Sequence, residues 1–378
     1  MPWTFEEIER DWFGSAHLQW DQDDVVRAFN LTERIRGRDW VLGREVDIST
    51  LNVFPGIGRR GGYSEFLRVY WFGKRMASII GAAGCDDLVK RLITNDSAAS
   101  EEATAIHLLR STQINTELEI APTIKVGNRN RQPDFRLRKP GERWIYVEVR
   151  MLNNSDASFQ VECLLERVAE RVMAVDHTFL LEIVFNRDPS ASEEEEVLAK
   201  AKAACNASDG HREDVRDVAS ILAKSGDPSV VVPSVIPDDN RPRMAISRSL
   251  VGPGQPNRQI VVRIPYRDER AEDILRSKAK QLPSNECGIV MVNVNRQPSA
   301  FESWTEQLPE RFTTRRHTRI AAVILFMHST EPTETGLAWI PRVKLIANPH
   351  AIVPLPSWIT KTVDRIRADT RRLTGIPD

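Results

Sequence analysis

Two carboxylates mark neighbouring strand-like runs, and one of them stands where an apolar residue would be cheaper. Asp134 follows Pro133 at the head of a strand-like run, and Glu148 interrupts Trp144-Ile145-Tyr146-Val147-Glu148-Val149-Arg150. A charge inside such a run contradicts the local pattern, and contradictions of this kind concentrate at functional or strained sites. Side chains alternate along a strand, so Trp144, Tyr146, Glu148 and Arg150 share one face. If the Asp134 run pairs with this strand across the turn at Lys139-Pro140-Gly141 and Asp134 faces the same way, two carboxylates and one cation converge. Oxygen-only ligands suit Mg²⁺ or Mn²⁺, which retain waters and bind phosphate oxygens. The chemistry open to such a centre is hydrolysis at a phosphoryl group. The plainer alternative makes Asp134 a turn residue and puts Glu148 in a cross-strand ion pair with Arg136 or Arg138.

The elements that must position these residues are legible around them. Asn95-Asp96-Ser97 supplies helix-capping residues, and a helix is expected through Arg110, with Glu101 and Glu102 near its start. Glu102 lies three to four positions from Ala98, Ala105 and Ile106, which turns it toward the apolar stripe. Thr116 to Val126 reads as a strand, Gly127 to Asn130 as a turn into the Asp134 strand, and Trp144 to Met151 as a central strand apolar on both faces. Helical spacing follows over Ser155–Val175, then a fourth strand over Thr178–Phe185.

This order and these letters resemble the PD-(D/E)XK nuclease-like superfamily, over roughly Ala98 to Asn186. Pro133-Asp134 and Glu148-Val149 match its motif, and Glu101 or Glu102 fits its helix glutamate. The resemblance implies an α/β fold with a mixed central sheet of restriction-endonuclease-like type and flanking helices. It also implies Mg²⁺ or Mn²⁺ held by Asp134, Glu148 and Glu102, and a nucleic-acid partner, DNA in most of the family. The motif lysine is replaced by Arg150. Arginine keeps the charge and can bind a phosphate, but it does not give up its proton near neutral pH. Arg150 therefore acts electrostatically, or a lysine arrives from elsewhere, or the site is degenerate and the module only binds nucleic acid or a protein partner. Lys278 and Lys280 are the candidates for a migrated lysine, against a plain reading as a solvated helix face. Gln160, on the helix after the motif, is a further polar candidate near the site.

The rest of the chain sets bounds. Its 378 residues, 41% hydrophobic and 28% charged, fit a soluble globular protein with two or three domains or with one enzyme-sized core and additions. A mainly helical region is expected over 1–94 and the α/β domain over 95–354, with an insertion at about 187–258. An amphipathic helix carrying Lys361, Arg365, Arg367, Arg371 and Arg372 should follow over 355–378. Pro55 to Gly62 is a glycine-rich basic loop that matches no phosphate-loop pattern and reads as a connector. No membrane span and no secretory signal are visible, so the expected location is cytoplasmic. The four cysteines form no CxxC pair, and the seven histidines form no HExxH motif. With a net charge of −1, bulk electrostatics does not favour nucleic acid, and binding would need a local basic patch.

Overall fold

The computed structural model describes residues 2–10, 21–42, 63–111, 115–126, 129–207, 210–224, 241–250, 257–333 and 336–374. The Pro55–Gly62 loop and the apolar run at Val230 lie outside the described residues. The chain is mixed α/β and divides into two compact units, each with mixed-direction strands and helices. The first comprises Met1–Leu152, Arg270–Arg296 and Thr305–Asp378, and the second Asn153–Glu269 with Gln297–Trp304.

The first unit opens with helices α1 (Phe5–Ile8), α2 (Gln22–Arg36), α3 (Arg38–Val41), α4 (Tyr63–Ile79), α5 (Cys85–Ile93) and α6 (Ser97–Arg110). Asp96 caps α6, its side chain accepting from the Ala98 and Ala99 amides. Next come β1 (Glu117–Ile120), β2 (Ile124–Val126), β3 (Arg129–Arg131), β4 (Phe135–Arg138) and β5 (Ile145–Met151). The Thr116–Val126 run is not one strand: it breaks at Ala121, whose φ is +49°, and β2 pairs with β3 as a separate ribbon. It is β1 that pairs antiparallel with β4, which pairs antiparallel with β5 across the expected turn.

The second unit carries α7 (Asp156–Met173), β6 (Phe179–Phe185), α8 (Ala191–Ala204), β7 (Arg212–Val215), β8 (Ala219–Lys224), β9 (Arg243–Leu250) and β10 (Arg258–Pro265). Its sheet order is β7-β8-β6-β10-β9. Here the sequence reading needs correction. Strand β6 exists where expected, but it pairs with β8 and β10 and does not join the sheet that contains β5. The insertion accordingly begins at Asn153, not at about 187, and runs to Glu269. An apolar run marks a buried strand without specifying which sheet buries it.

The chain then returns to the first unit with α9 (Ala271–Ala279) and β11 (Cys287–Asn293). Helix α10 (Ser299–Arg311) follows, then β12 (Ile320–Thr333), β13 (Gly336–Ala347) and α11 (Ser357–Thr374). Strand β11 lies parallel to β5 on one side and to β12 on the other, giving the order β1-β4-β5-β11-β12-β13. Helices α2, α4, α6 and α11 share one hydrophobic core with this sheet, through Phe29, Phe66, Ile106, Phe135, Val147, Met291 and Ile359. The N-terminal helices and the C-terminal helix are therefore parts of the first unit, not separate domains. Among the described residues no helix is long and apolar enough to cross a membrane.

Candidate functional site

Strand β5 is central, between β4 and β11, and its Val147 and Val149 enter the core. Alternation sends Glu148 to the opposite face, yet its side chain is only 1% exposed. Asp134 stands one residue before β4, where its backbone carbonyl still accepts from the Ala121 amide. Its carboxylate accepts from the Val149 amide at 2.6 Å, which ties it to β5 beside Glu148.

The cation between them comes from α9. Ala271 and Leu275 are the buried residues of that helix, and Lys278, one turn beyond Leu275, follows the same stripe inward. Its Nζ donates to Glu148 Oε2 at 2.7 Å and lies 3.8 Å from Asp134 Oδ2. Both carboxylates thus reach a single ammonium nitrogen. The second Glu148 oxygen, Oε1, is buried with no hydrogen-bond partner among the described residues. Burial first, and then the charge of Asp134, push the Glu148 carboxyl up to about 7.

The helix glutamates separate by position. Glu102 senses the charge of Asp134, and its carboxyl is raised chiefly by burial. Arg91 of α5 holds it with two bonds, Nη1 to Oε2 at 3.1 Å and Nη2 to Oε1 at 2.8 Å, while Arg91 Nε donates to the α6 cap Asp96 at 2.8 Å. Glu101 points elsewhere: Asn293 at the end of β11 donates to it, and burial raises its carboxyl to about 7. Near Glu101 the buried Arg75 donates to Ser100 and Thr104. Of the pair, Glu102 is the one whose charge acts on Glu148 and which feels that of Asp134.

None of the remaining candidates shares a hydrogen bond or ion pair with Asp134 or Glu148 among the described residues. Arg150 is exposed at the end of β5 and has no hydrogen-bond or ion-pair partner among the described residues. Lys280, exposed at the C-cap of α9, stays on the solvent side. Gln160 is exposed on α7 in the second unit. The cross-strand alternative for Glu148 does not hold, because Arg136 pairs with Glu119 and Arg138 with Glu117. Arg91 escaped the sequence reading because nothing in Lys90-Arg91 separates it from an ordinary basic helix end. Asn293, a polar residue closing an apolar strand, did carry a signal.

No group of three His, Cys, Asp or Glu close enough to hold a metal occurs among the described residues. The donors that fit a hard cation are Asp134 and Glu148, with Glu102 behind them, engaged by Arg91. Two carboxylates suffice for Mg²⁺ where waters and substrate phosphates complete its shell, and the unpartnered Glu148 Oε1 is an oxygen of that kind. Comparison with protein-family models, with curated proteins and with solved structures found no match.

Proposed function

We propose that the first unit is a metal-dependent phosphodiesterase of the PD-(D/E)XK type, acting on nucleic acid and in the first instance DNA, with Lys278 in the place of the motif lysine. The observation that carries this reading is the contact of one ammonium nitrogen with both Asp134 and Glu148. The order and direction of β1, β4, β5 and β11, three antiparallel strands and then a parallel one, agree with the restriction-endonuclease-like arrangement. In that arrangement the helix crossing from β5 to β11 is α9, the helix that delivers Lys278.

Asp134 and Glu148 would hold Mg²⁺ or Mn²⁺, which supplies an activated water and neutralises phosphate charge. Lys278 keeps the two acids together and offers an N–H to an incoming water or phosphate oxygen. Arg150, exposed on the Glu148 face of the strand, is free to clamp a neighbouring phosphate. The Arg91–Glu102 pair fixes the helix glutamate at the edge of the site.

The test is Mg²⁺-dependent cleavage of double- and single-stranded DNA and of RNA by the full chain, beside Asp134→Ala and Glu148→Gln. The reading fails if the wild type cleaves nothing with Mg²⁺ or Mn²⁺, or if the double variant cleaves as well as the wild type. Binding without cleavage in both metals would leave the degenerate binding module in its place.

A further inference from the structure

Helix α9 has a second functional face. Arg276 and Lys280 are four residues apart and lie together, while Lys278 between them turns the other way, toward Glu148. Arg276, Ala279 and Lys280, with Glu272 one turn earlier, form one wall of a pocket of about 420 Å³. The opposite wall is Arg316, His317, Thr318 and Arg319, just before β12.

The charge of this pocket departs from that of the chain. Three arginines and a lysine line the pocket with one carboxylate, in a protein whose net charge is −1. That carboxylate, Glu272, is shared three ways: His317 Nε2 at 3.1 Å, Arg276 at 3.3 Å and Arg316 at 3.9 Å. One negative charge does not neutralise such a set, and a surplus of positive charge in a concavity focuses its field on anions.

The wall is also held in shape. His317 takes a left-handed backbone at φ +59°, a conformation unusual for a residue with a side chain. The buried Asn348 secures it, its Nδ2 donating to the carbonyls of His317 at 3.1 Å and Ile320 at 2.8 Å. The Ile352 amide donates to the Thr318 carbonyl at 2.8 Å. Arg319 Nη1 donates to the Leu282 carbonyl at 3.4 Å. A fixed concavity with a fork of guanidinium groups matches the tetrahedral, multiply accepting geometry of a phosphate.

We propose that this pocket is a phosphate-binding subsite and, resting on the phosphodiesterase reading, that it takes a backbone phosphate of the nucleic acid presented to Asp134 and Glu148. One helix then delivers the lysine of the reaction centre from one face and grips the substrate backbone with the other.

The experiment uses the full chain in excess chelator, where no cleavage occurs. Binding of a DNA duplex is measured against salt for the wild type, Lys280→Gln/Arg316→Gln and Arg276→Gln, with inorganic phosphate titrated into each. All three substituted residues are solvent-facing, and matching circular dichroism spectra establish that the variants fold. The double variant should bind DNA at least about tenfold more weakly and lower the slope of log K against log salt by about 2, one unit per lost contact. An unchanged affinity and slope would overturn the proposal. Loss of inorganic-phosphate binding with DNA binding intact would overturn the backbone assignment and make the pocket a site for a small phosphorylated ligand. Failure of catalysis in metal, with the expected salt slopes in chelator, would sink the phosphodiesterase reading and leave the subsite standing.

Discussion

At the scale of single residues, the centre is a set of acids whose charges are mutually unfavourable until a cation joins them. The Glu148 carboxyl, held at about 7 against an ordinary 4.5, retains a proton in the folded chain that the unfolded chain has already lost. Between those two values the folded state binds more protons, so metal-free stability falls as pH rises from 4.5 to 7. A divalent ion favours the ionised acid, so Mg²⁺ should raise the melting temperature more at pH 8 than at pH 5.5. Differential scanning fluorimetry with and without Mg²⁺ checks this, and equal shifts at both pH values would contradict it. Mg²⁺-dependent kcat/KM should rise with pH and then level off, with a midpoint that moves down as the Mg²⁺ concentration is raised. Replacing Lys278 by Met should reduce kcat by about 10²- to 10⁴-fold, whereas Arg150→Ala should act mainly on KM. Reversal of that pattern would return the motif role to Arg150. Glu148 was visible in the sequence because it broke an apolar run, and Asp134 because it follows Pro133 at the head of the neighbouring strand. Lys278 was visible only as one of two candidates for a displaced motif lysine, beside Lys280, because 130 positions separate it from Glu148.

At the scale of elements, the sequence specified almost every strand of the first sheet but not its company. Strands β4, β5, β11 and β12 were legible from their apolar runs, while α10 and β13 passed unrecognised. Strand β6 was legible too, but the pattern that buries a strand is the same in either sheet, so its assignment to the sheet of β5 was an error of topology. Close packing of the N-terminal helices on the sheet was equally hidden. Between two of these helices, a Cβ on Gly73 of α4 would sit 2.2 Å from the Ala28 carbonyl oxygen of α2. Backbone cannot yield there as a side-chain tip would, so Gly73→Ala should cost at least about 1–3 kcal/mol. Urea unfolding monitored by tryptophan fluorescence should show a lower midpoint, and an unchanged one would mean that α2 and α4 pack more loosely than described.

At the scale of the whole molecule, two cores coexist. One joins α2, α4, α6, α11 and the six-stranded sheet, and the other joins α7, α8 and the five-stranded sheet. Calorimetry should therefore resolve two transitions, and Mg²⁺ should move only the one belonging to the first unit. A single transition that shifts as a whole would show the two to be one cooperative body. Because the second unit interrupts the first between Leu152 and Arg270, the centre also has an order of manufacture. A ribosome adding roughly 5–20 residues per second makes Lys278 on the order of ten seconds after Glu148. Until then the nascent chain carries its acids without their cation. A chain broken anywhere between Asn153 and Glu269 has Asp134 and Glu148 but no Lys278 ammonium to join them. The acid–lysine centre is thus assembled only after the whole Asn153–Glu269 segment has been made.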